Sequence, residues 1–150
     1  VWLVAHSFGC LAAVVAAQGH SDSRIGGALF VAPADPERFC ETGPRHDTVL
    51  DGAPGVSVRL PKGNLGFPSV VVASATDPIV KLVTSAYWAD RWGSRFICIG
   101  NAGHINVESG HGPWPQGLEM LEALREKHAH LPLGSISFSD RAEYVGQAIH

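Results

Sequence analysis

The sequence predicts an α/β protein built on a parallel sheet, and three observations carry that prediction. Short β-branched or apolar runs alternate with helix-like segments four times along the 150 residues, the pattern of strands joined by right-handed crossovers. The length suits one domain able to bury roughly two-thirds of its unfolded surface. The composition is apolar, with 45% hydrophobic and 17% charged residues and a net charge of −3. Such a chain lacks the clustered Lys and Arg that meet phosphates, and it is too apolar for disorder, so nucleic-acid binding and a disordered role are both excluded. The longest apolar stretch, around residues 11–17, falls well below the ~20 residues of a membrane helix, so no membrane role is expected.

Each element has its own signal. Residues 1–5 (VWLVA) form a continuous apolar run that reads as a strand buried on both faces. LAAVVAAQ at 11–18 suits a tightly packed helix with Gly19 as its C-cap. IGGALFVA at 25–32 reads as a second strand, stopped by Pro33 and Pro36. Residues 33–66 hold many Gly, Pro and Asp without a period, and predict a long excursion with at most a turn or two of helix. SVVVA at 69–73 is the clearest strand, and 79–92 the helix after it, with Asp77 and Pro78 able to start it. RFICI at 95–99 is a fourth strand. QGLEMLEALREKH at 116–128 is an amphipathic helix with Leu118, Leu121 and Leu124 or Met120 facing inward. Residues 131–150 contain Pro132, Gly134, a serine-rich stretch and a short helical pattern from Asp140, and read as a tail of unknown role beyond a unit of 1–130.

In open parallel sheets chemistry sits at the carboxyl ends of the strands, and three of the four strands hand over a reactive side chain there. Ala5-His6-Ser7-Phe8-Gly9 puts a serine on a sharp strand-to-helix turn between small residues, the nucleophile-elbow pattern with alanine at its first glycine. Small neighbours two residues away on each side let strand and helix approach closely. A serine at this point could instead cap the helix. Asp77 follows the third strand by four residues, and His104 lies on a glycine-bearing loop after the fourth. In the order Ser, Asp, His, these predict a triad in which Ser7 attacks a carbonyl, His104 moves the proton and Asp77 fixes and stabilises the imidazole.

Rivals exist for two of the three. Asp35 also follows a strand, and Asp77 could merely cap its helix. His111 lies seven residues beyond His104 in a Gly-Pro-rich loop. His6, beside the serine, is expected to point elsewhere, and His20, His46, His128, His130 and His150 to be solvated. No histidines show H-x-x-x-H spacing, and Cys10, Cys40 and Cys98 contain no C-x-x-C pair. Metal is not implied, and three cysteines without a pairing pattern point to a reduced, cytoplasmic protein, although a targeting signal upstream of residue 1 is not assessable.

Four stretches, VAHSFGCLA around Ser7, GALFVAPADPERF at 27–39, FPSVVVASATDP at 67–78 and AGHINVESGHGPWPQG at 102–117, resemble the retinoblastoma-binding-protein-9-like serine hydrolases, also called the YdeN family, of the α/β-hydrolase superfamily. The resemblance runs from Val4 to about Leu124, and its most specific part is the histidine loop with the following Gly-Pro-Trp-Pro. It implies a three-layer α/β-hydrolase-type parallel sheet, with Ser7 as nucleophile, Asp77 as acid and His104 as base. It also implies carboxylester or related acyl hydrolysis of a small-molecule substrate, with no cofactor. In that fold the oxyanion hole takes the N–H after the nucleophile, here Phe8, and a second N–H from an earlier loop. The nucleophile strand is already the first strand here, so the chain reads as the carboxyl-terminal portion of such a domain. The alternative reading is a catalytically incomplete fragment that acts as a protein-interaction module through its open sheet edge or the 33–66 excursion. No Leu-x-Cys-x-Glu motif supports carrying over a pocket-protein partner, and the protein partner is unknown. Phe8, Phe39, Trp88 and Trp114 suggest an apolar lining, although aromatic residues are more often core.

Overall fold

A computed structural model describes residues 1–18, 24–45 and 54–129. Gly19, His20, His46, His130, His150 and the tail at 131–150 lie outside them, as does the middle of the 33–66 excursion. The described elements are β1 (Trp2–His6), α1 (Phe8–Gln18), β2 (Gly27–Val31), β3 (Phe39–Cys40), β4 (Gly43–Pro44), β5 (Ser69–Ala73), α2 (Leu82–Trp92), β6 (Arg95–Cys98) and α3 (Pro115–Ala129). Short 3₁₀ turns occupy Pro36–Arg38, Val56–Arg59 and Val107–Ser109. The described parts of the excursion hold single helical turns and a two-residue antiparallel hairpin of β3 and β4.

The main sheet is parallel in the order β1-β2-β5-β6. Its register sets His6 level with Val31, Val31 with Val72, and Ala73 with Cys98, so the four carboxyl ends form one rim. Helices α1 and α2 cover one face, where Leu11, Val14, Phe30, Val71, Trp88 and Trp92 share a core. Helix α3 covers the other, with Met120, Leu121 and Leu124 against Leu29, Val31, Val70 and Val72. The result is a three-layer α/β arrangement. Trp88 and Trp92, ring centroids 5.5 Å apart, are core, while Trp114 packs half-buried on the α3 side. Among the described residues no helix is long and apolar enough to cross a membrane.

The differences from expectation have physical causes. Strand β1 is not buried on both faces: Val4 is 60% exposed, because strand order puts β1 at an edge. Among the described strands only the inner β2 and β5 are buried along their whole length. Helix α1 begins at Phe8, directly from the elbow. Helix α2 begins at Leu82, three residues late, because the Asp77 carboxylate accepts the N–H groups of Ile79 (2.8 Å) and Val80 (3.2 Å) in a turn of its own. That helix ends at Gly93, whose left-handed φ of 68° suits a residue without a Cβ. On α3, Leu118 is 57% exposed rather than inward.

Candidate active site

The site is assembled from loops that leave the same rim of the sheet. At the end of β1 the chain reverses so sharply that Ser7 adopts φ 55°, a left-handed conformation uncommon for a residue with a side chain. Backbone hydrogen bonds hold it there: Ser7 N–H donates to Val31 C=O (3.0 Å), and Ser7 C=O accepts from Cys10 (3.0 Å) and Ala34 (3.2 Å). A Cβ built on Gly9 would lie 4.0 Å from that of Ala5, an ordinary van der Waals contact, so strand and helix meet here through small side chains without a clash. Below the turn, buried Cys10 sits with Sγ 3.3 Å from Ala5 C=O and 3.5 Å from Val31 C=O. Burial pushes its thiol from an ordinary 9.0 up to about 12, against the lowering effect of the Val31 and Cys10 backbone, so it is inert packing and not a nucleophile.

Three side chains from three strand ends meet in one line. The Ser7 hydroxyl lies 3.0 Å from His104 Nε2, and His104 Nδ1 lies 2.8 Å from Asp77 Oδ2. The Asp77 side chain is 1% exposed and that of His104 12%. The other Asp77 oxygen accepts the Ile79 and Val80 N–H groups, which fixes the carboxylate and leaves Oδ2 for the imidazole. Capping and histidine-holding are thus shared between two oxygens of one residue. Phe8 opens α1, and the first N–H groups of a helix have no partner within it. The Phe8 N–H is therefore at a helix N-terminus, where the dipole favours negative charge.

The rivals are occupied elsewhere. Asp35 Oδ1 accepts Glu37 N–H (3.0 Å) at the start of the 3₁₀ turn Pro36–Arg38. His111 Nδ1 is 3.0 Å from Ser109 C=O within its own loop. Phe8 and Phe39 pack at a tilt of 49° with ring centroids 4.7 Å apart, which places the start of β3 beside the elbow. Among the described residues no group of three or more His, Cys, Asp or Glu is arranged to hold a metal.

Residues that the sequence pattern did not single out hold the histidine loop. Ser74, 1% exposed, accepts Ala102 N–H (2.9 Å) and Thr76 N–H (3.2 Å) and donates to Gly100 C=O (3.2 Å). Thr76 Oγ1 accepts Gly103 N–H (3.2 Å). The Asp77 loop is thus sewn to the His104 loop by hydroxyls two residues apart. Gly103 needs to be glycine on two counts, a φ of 55° and a Cβ that would come within 2.6 Å of Ser109 Cβ. His6 points towards His104, its Nε2 2.9 Å from the His104 carbonyl. A serine-threonine pair before an aspartate at a strand end was the available signal for the first contacts. The second had none beyond adjacency to Ser7.

The family model described as serine hydrolase matches residues 1–123. No curated protein matches the chain. Among solved structures, a YdeN-like hydrolase from Pectobacterium atrosepticum is 36% identical, with a TM-score of 0.68 over 85% of this chain and 60% of its own. The ydeN gene product of B. subtilis is 22% identical, with a TM-score of 0.60 over 83% of this chain and 65% of its own. Est1E from Butyrivibrio proteoclasticus, a structure with ferulic acid bound, is 18% identical, with a TM-score of 0.55 over 85% and 58%. The last two likenesses concern the fold alone. The chain spans 60% of the length of the Pectobacterium structure.

Proposed function

The chain belongs to the serine hydrolase family, and from that premise we propose an acyl hydrolase of the retinoblastoma-binding-protein-9-like (YdeN) group that cleaves small carboxylic esters through Ser7, His104 and Asp77. The observation that carries the reading is the unbroken Ser7–His104–Asp77 hydrogen-bond line, 3.0 Å and then 2.8 Å.

In the proposed reaction Ser7 Oγ attacks the ester carbonyl carbon while its proton passes to His104 Nε2. The imidazolium so formed donates Nδ1–H to Asp77 Oδ2, whose buried carboxylate fixes the tautomer and stabilises the positive charge. The carbonyl oxygen becomes an oxyanion and takes the Phe8 N–H as a donor. As the C–O bond to the alcohol breaks, His104 returns its proton to the leaving oxygen. Water then attacks the acyl-Ser7 carbonyl with His104 again as base, and collapse of the second tetrahedral intermediate releases the acid and restores the serine. These residues supply every proton movement without a cofactor. Three free cysteines suit a reducing compartment, and the cytoplasm is the location we favour.

One observation favours the interaction-module reading: the outer edge of β1, opposite β2, has no strand partner among the described residues, and unpaired edges invite strand addition. The two readings separate in one experiment. A fluorophosphonate probe is expected to label the protein at Ser7 and to leave Ser7→Ala unlabelled, with p-nitrophenyl acetate turnover lost in the same variant. Equal labelling of the two proteins would remove the nucleophile assignment. Absence of both labelling and turnover in the unaltered chain would favour the module.

A further inference from the structure

Strands β1 and β6 lie at opposite edges of the sheet, three strand spacings or roughly 14 Å apart. The loop that follows β6 must cross the rim above β5 and β2 to bring His104 to Ser7. Its backbone is unusual along the way, with left-handed Gly100, Gly103 and Ile105. A β-branched residue at positive φ is an outlier that persists only where its surroundings over-determine it. The near end of the loop is held by Ser74 and Thr76. The far end carries the imidazole that must meet the serine.

The geometry points to His6 as the positioning residue for that far end. Leu3 and Ala5 face the α1 side of β1, so alternation along the strand sends Trp2, Val4 and His6 to the other face. From there His6 Nε2–H donates to the His104 carbonyl at 2.9 Å. Its ring meets the His104 ring edge-on, with centroids 4.8 Å apart and planes at 62°. The bond requires the proton on His6 Nε2. Because His6 immediately precedes Ser7, one strand end fixes both reacting partners: Ser7 through the elbow, and His104 through the side chain one residue earlier. The Ser7–His104 distance is thereby set within a single rigid element instead of across four strands. A shift of the base by a fraction of an ångström costs proton transfer and leaves substrate binding alone, which separates this role from general support of the fold.

The inference rests on the Ser7–His104–Asp77 reading and is tested with two replacements. His6→Phe keeps a ring without the donor, and His6→Gln restores an N–H at similar reach. On p-nitrophenyl acetate, His6→Phe is expected to lower kcat about tenfold with KM within about twofold, since small misplacements fall mainly on the chemical step. It should also broaden or lose the downfield proton resonance of the His104 Nδ1–H···Asp77 bond. His6→Gln should recover most of kcat and the resonance. Should His6→Phe fail to fold, His6→Ala is compared with His6→Gln in the same way. An unchanged kcat in the donorless variant, or a His6→Gln no better than it, overturns the inference. Fluorophosphonate labelling keeps the two ideas apart: a protein labelled at Ser7 but indifferent to His6 defeats this inference alone, and one never labelled at Ser7 defeats the triad reading as well.

Discussion

The strands that carry the proposed nucleophile and the proposed acid look alike as sequence, VWLVA and SVVVA, yet they occupy opposite environments. Strand β5 is buried at all five positions between β2 and β6. Strand β1 lies at an edge, with Val4 60% exposed. Asp77 therefore projects from a strand buried and paired on both sides, and Ser7 from a strand paired on one side. What compensates β1 is local: three backbone hydrogen bonds at Ser7, packing of Leu3 and Ala5 on the core, and the His6 contact with the opposite loop. A site can thus be rigid where its strand is not buried, provided the last residues of that strand are tied to neighbouring loops.

The largest test of this contrast is chemical. Ser7→Ala is expected to cut kcat by about 10⁶-fold, and Asp77→Asn by about 10⁴-fold, because loss of the nucleophile stops the reaction while loss of the acid spoils orientation and tautomer. Steady-state kinetics with an ester substrate, backed by active-site titration, decides it, and equal losses would erase the distinction. Next in size is Ser74→Ala at the β5 end. It leaves the N–H groups of Ala102 and Thr76 without their acceptor, at an expected cost of about 3 kcal/mol in urea unfolding. The strands themselves come third. Val71→Ala, in a fully buried position, should cost about 2 kcal/mol, and Val4→Ala less than about 0.5 kcal/mol; similar values would show that the outer face of β1 is covered in solution. The smallest effect concerns the thiol beneath the elbow. Folding holds Cys10 protonated up to about 12, against an ordinary 9.0, so the native state keeps a proton that the unfolded chain gives up. The stability this contributes is complete below pH 9 and is lost as pH rises from there towards 12. Denaturation midpoints across that window should fall less in Cys10→Ala, and native-state alkylation should reach exposed Cys98 first.

Much of the candidate site was legible in the sequence because each of its three residues sits a few residues beyond a strand, where local pattern is informative. Ser7, Asp77 and His104 could be read that way, each from its own segment, and the structure brings those three side chains together. The holders of the histidine loop were not legible. Ser74 reaches Ala102 across 28 residues and His6 reaches His104 across 98, and such contacts depend on which loops the strand order makes neighbours. The same gap misled the reading of β1, since apolarity alone does not separate an edge strand from a central one. It also explains α2, where Asp77 carries signals for a helix start and for an isolated turn, and the turn prevails.

The non-glycine residues with left-handed backbone among those described are Ser7, Ala32 and Ile105, and all lie in loops that leave the same rim. Each such conformation costs on the order of 1–3 kcal/mol, so free energy gained by burial in the middle of the sheet is spent at the end where the proposed site lies. Heat should find that end first. On warming, the proposed esterase activity is expected to vanish several degrees before the far-ultraviolet helix signal collapses, which would make the rim a built-in thermal fuse.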